Sequence, residues 1–287
     1  MKYIHTQVKP LTCALVAMLL FITTFAQKEY TGSTPADPQV RTALKISHST
    51  PIDFIRWDLQ LRQPRKFILT ITYGESQPNT LGFKNGGTQV KFEGAYQVAV
   101  IDRIATYTLR TGPGAGLSLK MINDQLLHVV ANDGTLMVGN GGWSYTLTKK
   151  NTTTIARPLA IKSPLRAFKD SITIFEGRTP CQEISEEYNF GAPSGCFKLK
   201  WLLTLTKDSS SYRSGTFVLN RTLERANLIN GKWSIDSSGV IRLEPVKGQP
   251  MSLISGDENV LFFMNKEGAV FNGDENFSYV LNRRKKA

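Results

Sequence analysis

The sequence predicts an all-β protein composed of two tandem small antiparallel β-barrels. Short apolar runs such as 67–73 and 260–264 recur along the chain, and no long stretch has the apolar spacing of a helix. Turn signals separate these runs, including Ser238-Gly239 and Asn230-Gly231, each of which predicts a hairpin connection. Many short strands divided by glycine turns are typical of sandwiches and closed barrels, and about eight strands per unit favour small barrels.

A long internal repeat is the second observation behind this fold class. Residues 117–150 align with residues 251–284 without a gap, so Ser144 matches Ser278 and Tyr145 matches Tyr279. A repeat unit far longer than about 50 residues indicates duplicated domains rather than a solenoid.

The repeat and the local composition predict the domain boundaries. The polar, proline-bearing stretch 151–170 is predicted to be a linker, with barrel-like domains at 51–150 and 171–287. Residues 27–50 are predicted to be an N-terminal leader segment, in which Asp37 caps a short helix.

The N-terminus has the pattern of a secretory signal peptide. Lys2 and Lys9 precede an apolar run at 14–22, and small residues at Thr24 and Ala26 mark a cleavage site. We therefore predict a signal peptide at 1–26 and a secreted or periplasmic mature protein without a transmembrane segment. A membrane anchor is the alternative, although the run is shorter than the roughly 20 residues that span a bilayer.

The chain is basic, with a net charge of +12 that falls by two when Lys2 and Lys9 are removed. This charge is compatible with weak attraction to polyanions, or simply with solubility. The basic residues are scattered apart from the C-terminal run 283–286, so we expect no specific nucleic-acid partner.

Two cysteines, Cys181 and Cys196, follow the predicted signal peptide. A single pair in an exported protein favours a disulfide. Free thiols and a two-cysteine metal site remain as alternatives.

Patterns that carry catalysis or bind metals are missing from the sequence. It contains no G-x-S-x-G and no H-E-x-x-H or paired C-x-x-C, so no catalytic residue, metal site or cofactor is predicted. His128 matches Phe262 in the repeat, which favours a structural side chain over a ligand. A glycan-acting enzyme is the least supported alternative, because it needs two carboxylates facing each other across a cleft.

Aromatic residues recur at matching places in the two units. We expect them to be core or barrel-lining side chains, with a lined ligand cavity as the alternative. These residues are Trp57, Tyr96, Trp143, Tyr145, Trp201, Trp233, Phe277 and Tyr279.

The start of the second unit resembles a known family. The sequence FEGRTPC at 175–181, followed by the long apolar run at 199–205, resembles the N-terminal domain of the NlpE envelope lipoproteins, a copper-resistance and surface-sensing family. The resemblance covers about 40 residues and implies a lipocalin-like barrel in the cell envelope. In that family the first cysteine belongs to a C-x-x-C pair, whereas Cys181 is followed by Gln182, Glu183 and Ile184. The first unit is interpreted as a diverged repeat of the same domain, and the exit sequence FAQK at 25–28 resembles signal-peptide ends common in Bacteroidetes.

These observations together predict a non-enzymatic exported protein of the cell envelope. Its expected partner is a small apolar ligand or another envelope protein. A copper-sensing or redox-sensing module that uses Cys181 and Cys196 is the main alternative.

Overall fold

The computed structural model describes residues 27–101, 104–150, 167–221 and 228–285. The predicted signal peptide and residues 151–166 of the predicted linker lie outside these ranges. Within them the chain forms two closed barrels of eight antiparallel strands each, which confirms the predicted fold class.

The first barrel is a simple up-and-down meander in which each strand pairs with the next and β8 returns to β1. One short helix and one 3₁₀ turn (Lys84–Gly86) interrupt it. Its elements are β1 (Lys28–Thr34), α1 (Pro38–Ala43), β2 (Phe54–Arg62), β3 (Lys66–Gly74), β4 (Thr88–Ile101), β5 (Ile104–Gly112), β6 (Ala115–Met121), β7 (Leu126–Val130) and β8 (Thr146–Lys149).

The second barrel repeats this order, with β16 returning to β9. Its elements are β9 (Ile172–Thr179), α2 (Gln182–Glu187), β10 (Leu199–Lys207), β11 (Ser214–Arg221), β12 (Ile229–Ile235), β13 (Val240–Pro245), β14 (Met251–Ser255), β15 (Val260–Met264) and β16 (Val280–Arg283).

The predicted leader segment 27–50 is wrong as a separate unit. Its first residues form β1, which pairs with β2 along seven residues and also with β8. Without β1 the facing edges of β2 and β8 would expose unpaired backbone groups, so closure of the barrel requires it. The first barrel therefore begins at Lys28 rather than at residue 51.

The predicted helix is present but lies between β1 and β2. Asp37 precedes α1 and Pro38 occupies its first turn, yet the Asp37 side chain makes no capping hydrogen bond. Its carboxylate instead accepts a hydrogen bond from the Tyr145 hydroxyl at 2.6 Å. This contact holds α1 against the end of the barrel.

One predicted turn is also wrong. Asn230 and Gly231 lie inside β12, where Gly231 pairs with Phe217 on one side and Pro245 on the other. A Cβ at Gly231 would collide with the backbone carbonyl of Glu244, so this glycine permits close approach of two strands rather than a turn. Ser238-Gly239, in contrast, forms the predicted turn, with Gly239 at φ +85°.

Alternating strand residues fill both barrels. On β2, Ile55, Trp57, Leu59 and Leu61 all point inward and are nearly inaccessible to solvent, and the other strands continue this core. The second barrel has its own separate core. Both interiors are therefore packed with side chains along most of their length.

Each barrel has an equivalent tryptophan hydrogen bond at the end that carries its helix. The Trp57 indole N–H donates to the Thr34 hydroxyl at 2.8 Å, and the Trp201 indole N–H donates to the Thr179 hydroxyl at the same distance. Each threonine precedes a proline whose carbonyl accepts its hydroxyl proton. The duplication therefore extends to hydrogen bonds in the core.

The two barrels pack through equivalent faces. The Ser144 and Ser278 hydroxyls, which match in the repeat, hydrogen-bond to each other, and the rings of His128 and Phe262 meet edge-on at 6.1 Å. Contact between equivalent residues is the signature of a two-fold relation. The shared apolar cluster contains Ile122, Leu126, Val130, Leu136, Ile254, Val260, Phe262, Met264, Val270 and Val280.

None of the helices in the described ranges has the length and hydropathy required to span a bilayer.

Candidate functional site: the mouth of the first barrel

One end of the first barrel forms an open cup. Because β1 begins at this end and leads to α1, the helix lies at the opposite end. We call the cup the first mouth; it has a volume of about 330 Å³. Its lining consists of Lys28, Leu61, Gln63, Arg65, Tyr96, Val98 and Tyr107.

The floor of the first mouth is built from tyrosines. The rings of Tyr96 and Tyr107 meet edge-to-face at 5.8 Å, and both side chains are largely buried. Tyr30 lies beneath them with 1% of its surface exposed. Burial and the neighbouring Tyr107 raise the pKa values of Tyr30 and Tyr96, so both hydroxyls keep their protons at neutral pH.

The rim of the first mouth carries two exposed cations, Lys28 and Arg65. The Tyr96 backbone N–H donates to the Arg65 carbonyl at 2.9 Å, which ties the β2–β3 turn to the tyrosine floor. Arg65 has a φ of +62°, in the left-handed region that tight turns use. Asp124 is the acid that lies close enough to raise the pKa of Tyr30.

The corresponding end of the second barrel, the second mouth, is plugged. Phe168 is buried there, with its ring centroid 5.7 Å from those of both Phe175 and Trp233. Phe168 and Asp170 were predicted to belong to the linker, but Phe168 is part of the second core. The last residues of that stretch thus close the second barrel.

Strand register shows how the two mouths differ in chemistry. Leu109 and Leu243 match at the offset of the repeat. Tyr96 pairs with Leu109 and Trp233 pairs with Leu243, so Tyr96 and Trp233 occupy equivalent positions. By the same register, Tyr107 corresponds to Ile241 and Tyr30 corresponds to Phe175. Three phenolic hydroxyls at and beneath the open mouth are thus replaced by side chains without a hydroxyl in the plugged one.

The eight predicted aromatic residues occupy three kinds of place. Five are buried within the barrels, namely Trp57, Tyr145, Trp201, Trp233 and Tyr279. Tyr96 lines the first mouth. Trp143 and Phe277 lie beside the paired serines between the barrels, where Trp143 stacks on Phe54 at 4.7 Å.

The predicted cysteine pair forms a disulfide at the helix end of the second barrel. Cys181 precedes α2, and its bond to Cys196 closes the segment that carries Tyr188 and Phe190. The ring of Phe190 lies 5.9 Å from that of Trp201. The disulfide therefore anchors an aromatic cap, and in this form it presents no thiolate to a metal. In the described ranges, no three His, Cys, Asp or Glu side chains cluster in a way that could hold a metal ion.

A second, larger groove of about 650 Å³ runs beside β9 and the C-terminal strand. Its arginines are engaged with the protein's own acids: Arg283 lies 2.5 Å from Asp170, and Arg284 lies 3.9 Å from Glu176. The groove is thus less suited to an external anion than the first mouth is. These pairs also hold the described part of the basic C-terminal run against the second barrel.

Sequence reasoning missed most of the first mouth. Lys28 and Tyr30 were assigned to the leader segment, and Arg65 gave no pattern on its own. The ungapped repeat offset carried one usable signal, because it extends back to align Tyr107 with Ile241. A hydroxyl that appears in only one of two duplicated cores marks a place where the copies differ in chemistry.

Comparison of the chain with protein families, curated proteins and solved structures returned no match.

Proposed function

We propose that the protein is a non-enzymatic, exported protein of the cell envelope whose first barrel binds a small ligand at the first mouth. The observation that carries the proposal is the contrast between an open, hydroxyl-lined mouth and a plugged, apolar one. The hydroxyls lie at the open end of one barrel, where the other barrel is packed with aromatic rings, and this placement supports a ligand at the first mouth.

The dimensions and position of the first mouth support this proposal. Its volume of about 330 Å³ falls in the range of small-molecule sites, roughly 300–1,000 Å³. Leu61 and Val98 supply apolar walls, and the tyrosines supply a few directed polar groups. The disulfide and the resemblance of 175–181 to NlpE lipoproteins support export to an oxidising envelope compartment.

A filled variant tests the proposal. Val98→Phe places a ring in the first mouth, whereas Val218→Phe adds the same ring to an exposed outer position of the second barrel. Native mass spectrometry of protein purified from its own host should show a retained small molecule in the wild type and in Val218→Phe, but not in Val98→Phe. Empty wild-type protein that shows no thermal shift with hydrophobic metabolites would contradict the proposal.

A further inference from the structure

The charges at the first mouth bear on the chemistry of its ligand. Within the described ranges, neither Lys28 nor Arg65 forms a salt bridge, in contrast to Arg283 and Arg284 in the larger groove. The residues that line the first mouth include these two cations and no acid, so the rim carries a net positive charge. A guanidinium matches a carboxylate in shape and can bind both of its oxygens.

The floor supplies hydrogen-bond donors beneath that rim. The hydroxyls of Tyr96 and Tyr107 are hydrogen-bond donors inside a cup whose apolar walls are Leu61 and Val98. A tyrosine hydroxyl that points toward a ligand anion forms a charge-assisted hydrogen bond, which is about twice as strong as a neutral one.

The packed core limits the length of the ligand. Below the tyrosines, Trp57 and Leu59 are fully buried and fill the barrel interior. A long acyl chain therefore has no channel to enter. The apolar part of the ligand must fit within the cup, beside Leu61 and Val98.

We propose that the ligand of the first mouth is a small carboxylate on a short apolar body, bound by Lys28, Arg65 and the hydroxyls of Tyr96 and Tyr107. This inference rests on the proposed function, since it names the ligand class of the same site. It makes the acid group, rather than hydrophobicity alone, the basis of recognition.

Calorimetric titration of the exported protein tests the ligand class. The probes are butyrate, hexanoate, octanoate and benzoate, each compared with its neutral amide, which keeps the shape and removes the charge. We expect at least one acid to bind about tenfold more tightly than its amide, because a charged hydrogen bond exceeds a neutral one by roughly that factor.

Four variants locate the binding. We expect Tyr107→Phe to weaken acid binding about tenfold and Arg65→Gln or Lys28→Gln to weaken it about threefold each, as for partly exposed charges. Lys66→Gln is the matched control, because it removes the same charge beside Arg65 from a position outside the first mouth. Amide binding should be unchanged in the three charge variants and should weaken less than acid binding in Tyr107→Phe, which costs the amide only a neutral hydrogen bond.

Equal affinity for acids and amides, with no effect of Tyr107→Phe, would overturn the ligand class and leave the proposed function standing. Failure of every acid and every amide to bind would also overturn the ligand class. The proposed function would then be decided separately by native mass spectrometry of the wild type and Val98→Phe.

Discussion

His128 shows how one residue is adapted to the contact between the barrels. Its Nε2–H donates to the Met137 carbonyl at 2.9 Å, so Nδ1 accepts the Thr146 hydroxyl proton at 2.8 Å. Complete burial is the main cause that lowers its pKa to about 4. The ring is thus neutral and structural at physiological pH, in agreement with its match to Phe262 in the repeat.

This environment predicts a pH-dependent stability. Folded His128 takes up a proton only near pH 4, whereas the unfolded chain does so near pH 6.5, so unfolding binds a proton between these values. The stability contributed by neutral His128 is complete above pH 6.5 and is lost as the pH falls toward 4. We expect a loss of roughly 2–3 kcal/mol between pH 7 and pH 4.5, measured by urea unfolding.

Substitution of His128 isolates this contribution. His128→Phe introduces the residue that the second barrel has at the matching position, Phe262. This variant should lack the loss of stability between pH 7 and pH 4.5 described above, although it also removes two hydrogen bonds. His48 is exposed, so His48→Ala should keep the wild-type slope. Identical slopes for wild type and His128→Phe would show that this histidine does not set the acid sensitivity.

At the scale of elements, the two barrels differ in what closes the mouth end. The segment before β9 supplies Phe168 as a plug, and the larger aromatic Trp233 packs against it. The first barrel has Tyr96 at the Trp233 position, and Lys28 stands at the start of β1. The same framework thus gives one closed end and one open end.

Removal of the plug should destabilise the second barrel. Phe168→Ala deletes a buried ring between Phe175 and Trp233, and such truncations typically cost about 3–5 kcal/mol. Ile172→Ala is the control, because that side chain is 52% exposed four residues along the chain and should change stability by less than about 0.5 kcal/mol. Similar unfolding midpoints for Phe168→Ala and wild type would mean that Phe168 does not plug the barrel.

The elements also show what sequence reasoning can and cannot recover. Strand rhythm and the repeat predicted both barrels, because inward alternation and glycine turns are local properties. The position of β1 in the barrel was not predicted. Its pairing with β8 joins residues that are distant in sequence, and no local pattern indicates such a pairing. Gly231 was misread since a glycine needed for close strand approach resembles a turn glycine in sequence. The first mouth was missed for the same reason as β1. Its residues come from β1, β2, the β2–β3 turn, β4 and β5, and these elements are distant from one another in sequence.

At the scale of the whole molecule, the two barrels of the chain are arranged like the subunits of a dimer. Equivalent faces meet, and additional hydrogen bonds cross between them, such as Gly139 N–H to Asn282 at 2.8 Å. Ten buried apolar residues form the contact. Burial on this scale stabilises the association without the linker.

Cleavage of the linker tests this interpretation. With a protease site inserted between residues 151 and 166, the two cut halves should still co-elute in gel filtration. Phe262 lies in the shared cluster rather than in the second core, so Phe262→Lys should separate the halves while each barrel stays folded. Separation of the unsubstituted halves after cleavage would show that the linker alone holds the barrels together.

We infer that the duplicated barrels have divided their tasks, so that only the first mouth binds a ligand. Amide chemical-shift mapping during titration with the acid that binds most tightly in calorimetry provides a direct test, because both mouths are observed in one spectrum. We expect saturable shifts at Lys28, Arg65, Tyr96 and Tyr107, with none around Phe168 and Trp233. Shifts centred on the second mouth or the C-terminal groove, or no saturable shifts at all, would contradict it.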